Sequence, residues 1–100
     1  MVSNCIEKTH GSQAITLQVK LLKRTYVFPW SQFLFADGDA DEIRIAFSTH
    51  DVVISGAMLD TLLDDVAAQR VISLKEPVRA EYFTSFYEQQ ITRIFIKKSE

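Results

Sequence analysis

Between residues 42 and 70 the hydrophobic period of the chain changes from two to about 3.6. Ile43, Ile45 and Phe47 alternate with Arg44, Ala46 and Ser48, as on a half-buried strand, and Val52 and Ile54 resume the alternation after a polar break. Leu59, Leu62, Leu63, Val66 and Arg70 then follow helical spacing. A strand pair running into an amphipathic helix places both element types around one core, the pattern of an α+β chain. Pairing Phe47 with Val52 and Ile45 with Ile54 sets all four side chains on one face, and a one-residue slip would send Val52 and Ile54 to the other. Ser55 is the expected N-cap of a helix over 57–70, and Gly56 the residue that turns the strand-to-helix corner. Asp60 and Arg70 suit the two ends of that helix's dipole.

The flanking segments extend the sheet. Ile15, Leu17, Val19 and Leu21 alternate with Thr16, Gln18 and Lys20, one face buried and one wet, and Leu22 implies a covered end. Lys23-Arg24 turn the chain into a strand over 25–28, which Pro29 stops because it has no N–H to donate. Trp30-Ser31-Gln32 reads as a bend or a single helical turn, and 33–36 as a short strand ended by Asp37-Gly38. Ile72 and Leu74 alternate with Val71, Ser73 and Lys75. Val78, Tyr82, Phe83 and Phe86 recur at helical spacing after Pro77, predicting a second short helix over 78–89. The β-branched content of 91–98 favours a final strand, and Ser3–Lys8 suits a short edge strand. The expected fold is a single antiparallel, curved sheet of about five or six strands carrying one main helix (57–70).

One hundred residues, 47% of them apolar and 24% charged, suit one globular domain over 1–100. A net charge of −2 and a pI of about 5.6 oppose general binding to a phosphate backbone, and argue against nucleic acid as the partner. The basic exceptions are Lys20, Lys23 and Arg24, and the pair Lys97-Lys98. The one cysteine, Cys5, can form no intrachain disulfide and no two-pair zinc site. Residues 1–10 lack the pattern of a secretory signal and no run of 18 apolar residues occurs, so a cytoplasmic protein without a membrane span is expected. Gly11, Gly38 and Gly56 stand too far apart for a phosphate loop, and no cofactor is expected.

Three groups of residues invite a functional reading. Asp37, Asp39 and Asp41 alternate as at the opening of an EF-hand loop, the oxygen-rich pattern a hard cation requires. Glu42, however, stands where that loop needs glycine, and Ser48 where it needs a bidentate glutamate, so a solvated turn is the simpler account. His50 beside Asp51 has the chemistry of a general base or a metal ligand, but strand neighbours point apart. No Gly-x-Ser-x-Gly elbow is present, and the only other histidine is His10. Aromatic residues form the third group: Tyr26, Phe28, Trp30, Phe33 and Phe35 fall within ten residues, and Tyr82, Phe83, Phe86 and Tyr87 within six. A core of one sheet and one helix cannot hold them all, so Trp30 and the second cluster are expected at an interface. Glu81 and Glu88 beside that cluster oppose phosphate and favour self-association.

Pro29-Trp30-Ser31-Gln32-Phe33-Leu34-Phe35-Ala36 and Phe47-Ser48-Thr49-His50-Asp51-Val52-Val53-Ile54-Ser55-Gly56, followed by Leu59 and Leu62, resemble segments of a small, uncharacterised bacterial protein family. The resemblance spans residues 26–75. It implies a bacterial cytoplasmic protein and carries over no catalytic residue, since the family has no assigned activity. The leading expectation is a non-enzymatic interaction module that forms homo-oligomers or binds another protein. The alternative is a nucleic-acid-binding module using Lys20, Lys23 and Arg24 with Tyr26 and Trp30. Third is a metal-dependent enzyme around His50 and the 37–42 carboxylates.

Overall fold

Alternation shows which side chains face inward but not which strands pair, and here pairing divides the strands into two sheets. The computed structural model describes residues 5–77 and 90–98. In chain order the strands are β1 (Ile6–Lys8), β2 (Thr16–Lys20), β3 (Thr25–Pro29), β4 (Phe33–Gly38), β5 (Glu42–Phe47), β6 (His50–Ala57), β7 (Val71–Lys75) and β8 (Gln90–Lys98). One α-helix among the described residues, α1 (Leu62–Ala67), follows a 3-10 turn at Leu59–Thr61, and a second 3-10 turn occupies Trp30–Gln32. The first sheet has the order β1-β7-β2-β3 and the second β4-β5-β6-β8. The second is antiparallel throughout, whereas β2 and β7 of the first run parallel. The expected single antiparallel sheet with a main helix over 57–70 is therefore corrected: the described residues are mostly β, in two four-stranded sheets with one short helix. The helix expected over 78–89 lies outside the described residues.

The chain crosses between the sheets three times, and the two crossings that lie wholly within the described residues each have a local cause. At the first, Pro29 ends β3 and the 3-10 turn begins, with the Trp30 N–H donated to Ile15 O at 3.0 Å. At the second, β6 runs on through the expected corner. Ser55 pairs with Glu42 on one side and Arg93 on the other, so it is a strand residue and not a cap. Gly56 sits at a bulge opposite Ile91, and the left-handed residue at the corner is Met58, with φ of 56°. Leu59, Leu62 and Val66 face the core, which leaves one and a half turns of α-helix to cover it. The helix closes with Gln69 in the left-handed region, the Gln69 N–H donated to Val66 O and the Arg70 N–H to Asp65 O, both at 2.9 Å. These two bonds satisfy carbonyls that the helix end would otherwise leave open.

The β5–β6 hairpin keeps the expected faces but not the expected register. Val52 pairs with Ile45, and Ile54 with Ile43, two residues away from the pairing that the apolar pattern suggests. A two-residue shift preserves parity, so Ile43, Ile45, Phe47, Val52 and Ile54 all remain buried. Only Ser48 and Thr49 are left to form the turn. Ser48 is held from outside the hairpin, its N–H donated to Gln32 O at 2.9 Å and its hydroxyl to the Gln32 side chain.

Strand ends and one bulge account for the remaining exceptions. Leu17 and Val19 are buried, but Ile15 precedes β2 and is 85% exposed, and Leu22 lies exposed in the following loop instead of under a cover. In β7, Lys8 pairs with Val71 and Glu7 with Ser73, so Ile72 is the extra residue of a bulge. The bulge turns Val71 into the core and Ile72 outward, the reverse of the plain alternation. One continuous core results, with Leu17, Val19, Phe28, Val71 and Leu74 from the first sheet meeting Ile43, Ile45, Phe47, Ile54 and Ile94 from the second.

Candidate functional site

The 37–42 turn uses its acidic residues for structure. Gly38 has φ of 149°, and a Cβ there would lie 2.2 Å from Glu42 O. Asp39 donates its N–H to Glu42 O at 2.8 Å, and its Oδ1 accepts from the N–H groups of Asp41 at 2.9 Å and Glu42 at 3.0 Å. That carboxylate thus closes the turn on itself. Asp37 points to the outer face of β4, its Oδ2 3.6 Å from Arg44 Nη2. Among the described residues no three His, Cys, Asp or Glu side chains are grouped so as to hold a metal ion. Replacing Asp39 with Ala is expected to lower stability by about 1 kcal/mol, while Asp39→Asn, which keeps the accepting oxygen, stays within a few tenths. Urea midpoints measure both. A calcium-dependent rise in the wild-type melting temperature that Asp39→Asn abolishes would reverse this structural assignment.

His50 and Asp51 lie on opposite faces of β6. The His50 ring is 5.5 Å from Phe28 and 5.9 Å from Tyr26, and its Nδ1 is 2.9 Å from Thr49 Oγ1. Asp51 stands on the outer face between Ala46 and Lys97. The two side chains cannot act on one substrate atom. The His50 ring instead ends a file of rings between the sheets: Tyr26 stacks on Phe28 at 5.8 Å, Phe28 on Phe47 at 4.8 Å, and Phe47 meets Trp30 at 5.5 Å. Trp30 is 2% exposed and donates its indole N–H to Val71 O at 2.9 Å. This corrects its expected place at an interface, because two sheets enclose a larger core than one sheet and a helix would. Tyr82, Phe83, Phe86 and Tyr87 lie outside the described residues.

The basic β2–β3 hairpin has no open stacking platform. Arg24 lies over the Tyr26 ring at 5.8 Å with Nη1 3.5 Å from the Tyr26 hydroxyl, which raises an already high pKa and keeps Arg24 cationic. Trp30 is buried, and Tyr26 is half-buried against Phe28. An acid also sits beside the hairpin: Glu76 donates its N–H to Lys20 O at 2.8 Å, and its carboxylate accepts from the N–H groups of Leu22 at 3.3 Å and Ile94 at 3.4 Å. Elsewhere a cleft of about 380 Å³ is lined by Lys8, Thr9, His10, Gly11, Asp65 and Arg70. Asp65 occupies its two flanking cations, Lys8 at 3.0 Å and Arg70 at 3.1 Å.

A different surface carries exposed apolar groups in an ordered array. Cross-strand partners share a face, so the outer face of the second sheet can be read from its register. One row is Asp37, Arg44, Val53 and Phe95, from β4 across to β8. The next is Phe35, Ala46, Asp51 and Lys97, and a third joins Glu42, Ser55 and Arg93. Phe35 and Phe95, on the two edge strands, are 47% and 53% exposed, and Leu34, pushed out by a bulge in β4, adds to the apolar edge. The Arg44 guanidinium lies 5.1 Å over the Phe35 ring. The alternation in 91–98 already separates Phe95 from Ile94 and Ile96. Its alignment with Val53 and Arg44 comes from strand order alone, a long-range property without a local signal.

Among the described residues no helix is long and apolar enough to cross a membrane. No protein-family model matches the chain, and neither a curated protein nor a solved structure matches it.

Proposed function

We propose that the protein is a non-enzymatic interaction module that self-associates through the outer face of its second sheet. The observation that carries this reading is the placement of Phe35, Val53 and Phe95 on one open face. Exposed phenylalanines on a sheet whose other face already forms the core are the residues that a partner surface uses. The separation of His50 from Asp51 and the self-closed turn at Asp39 support a binding role over a catalytic one. The same proposal takes the protein to be cytoplasmic and a member of the small bacterial family that its two segments resemble.

The face is small. Four strands about 4.8 Å apart are roughly 19 Å wide and the 6 residues of β5, at about 3.3 Å each, run roughly 20 Å; a face of about 400 Å² is below the ~800 Å² per partner of a standard interface. The association is therefore weak, with a dissociation constant on the order of 10–100 µM. Sedimentation equilibrium from micromolar to millimolar protein should show a reversible monomer–dimer transition. Phe95→Ser should shift it about tenfold or more toward monomer, while leaving the thermal midpoint of the monomer nearly unchanged. A clean monomer at millimolar concentration overturns the proposal.

A further inference from the structure

The charges on this face prescribe how two copies meet. Its outward groups are three acids, Asp37, Glu42 and Asp51, and three bases, Arg44, Arg93 and Lys97. The face is therefore neutral, and apposing it to itself brings no net repulsion. It is also polarised. On β8, Phe95 stands between Arg93 and Lys97, whereas on β4, Phe35 is followed by Asp37. Neutral in sum and opposite in sign at its two edges, the surface is complementary to a second copy of itself.

Resting on the reading of this face as the association surface, we infer that the two copies are related by a two-fold axis lying in the interface, parallel to the strands and between β5 and β6. Such an axis carries β8 of each copy over β4 of the other. Asp37 of one copy then lies within reach of Arg93 and Lys97 of the second, and Phe95 approaches Phe35. Arg44 crosses above Val53 and next to Asp51. The second axis that keeps the strands aligned is also in the interface but perpendicular to them. It lays β8 over β8 and Arg93 against Lys97, apposing like charges. Addition of a copy to the edge of β8 is opposed by Glu76, whose carboxylate already accepts from the Ile94 N–H on that edge.

The experiment compares the full chain with three variants in sedimentation equilibrium at low salt: Arg93→Glu with Lys97→Glu, Asp37→Lys, and all three substitutions together. All positions are on the surface, and far-UV circular dichroism checks that each variant is folded. The first two variants should each weaken the dimer by about tenfold, since each sets like charges of β8 and β4 against one another. The triple variant inverts both partners at once and should return to within about threefold of wild type. A double variant or Asp37→Lys that dimerises like wild type, or a triple variant that stays monomeric, overturns the strand-parallel axis. If wild type dimerises and Phe95→Ser does not, the association face survives such an outcome and only the orientation falls. A wild-type monomer removes both.

Discussion

Replacing Trp30 with Ala is expected to lower the stability of this protein by about 3–5 kcal/mol, a large share of what a domain of this size possesses. The indole fills the seam between the two sheets, 5.5 Å from Phe47 and 5.3 Å from Phe33, centroid to centroid. Truncation leaves a cavity lined by rings that cannot collapse around it. It also removes the N–H that Val71 O accepts. Val71, whose side chain the bulge at Ile72 turns into the core, then loses that buried donor to its carbonyl. Trp30→Phe separates the two effects: most of the ring contact remains and the donor is lost, for an expected cost of about 1–3 kcal/mol. Urea denaturation followed by circular dichroism measures both, since Trp30 is the only tryptophan and cannot report on its own removal. Equal losses for Phe and Ala would assign the whole effect to the hydrogen bond. A loss below about 1 kcal/mol for Ala would place Trp30 outside a packed core.

Gly38→Ala should cost about 2–4 kcal/mol. The added Cβ would lie 2.2 Å from Glu42 O and 2.7 Å from Ile43 Cα, and both are backbone atoms that cannot rotate away. The β4–β5 turn must open, which breaks the bonds that Asp39 makes and moves Asp37 on the outer face of the second sheet. Gly11 is the internal control. Its φ of 89° is strained for alanine, but a Cβ there meets nothing within 4 Å, so Gly11→Ala should cost only about 1 kcal/mol. Urea midpoints of the two variants give the comparison. Equal costs would mean that conformation alone, and not the close approach at Glu42, makes glycine necessary at position 38.

Faces were legible where the period is two and no bulge intervenes. Leu17, Val19, Ile43, Ile45, Phe47, Val52 and Ile54 are buried as their alternation implies, because parity survives even the two-residue slide of the β5–β6 hairpin. The register was not legible. It depends on Gln32 holding Ser48, a contact between segments 16 residues apart. The exchange of Val71 for Ile72 depends on a bulge against β1, for which β7 alone carries no signal. Spacing alone overextends the helix, because Leu59, Leu62 and Val66 keep helical spacing although a left-handed residue at Met58 and a 3-10 turn over Leu59–Thr61 come before α1. Among the candidate residues, Asp37 belongs to β4 and not to the turn, and its carboxylate is the ion-pair partner of Arg44. The exposure of Phe95 has no local signal, because it is a property of the neighbouring strands.

Residue order by itself determined which side chains are apolar, which alternate, and that β3 goes no further than Pro29, since these follow from side-chain chemistry and local backbone sterics; Asp37 and Gly38, expected to end the strand before them, are instead paired with Arg44 and Ile43. Only the tertiary structure decided that the strands form two sheets, with β7 between β1 and β2, and that Trp30 lies between the sheets instead of on a surface. It also decided that Phe35, Arg44, Val53 and Phe95 share one face. The physical reason is that a period-two pattern satisfies any partner strand of matching parity. The choice among partners is made by long-range backbone hydrogen bonds and by the common core they enclose.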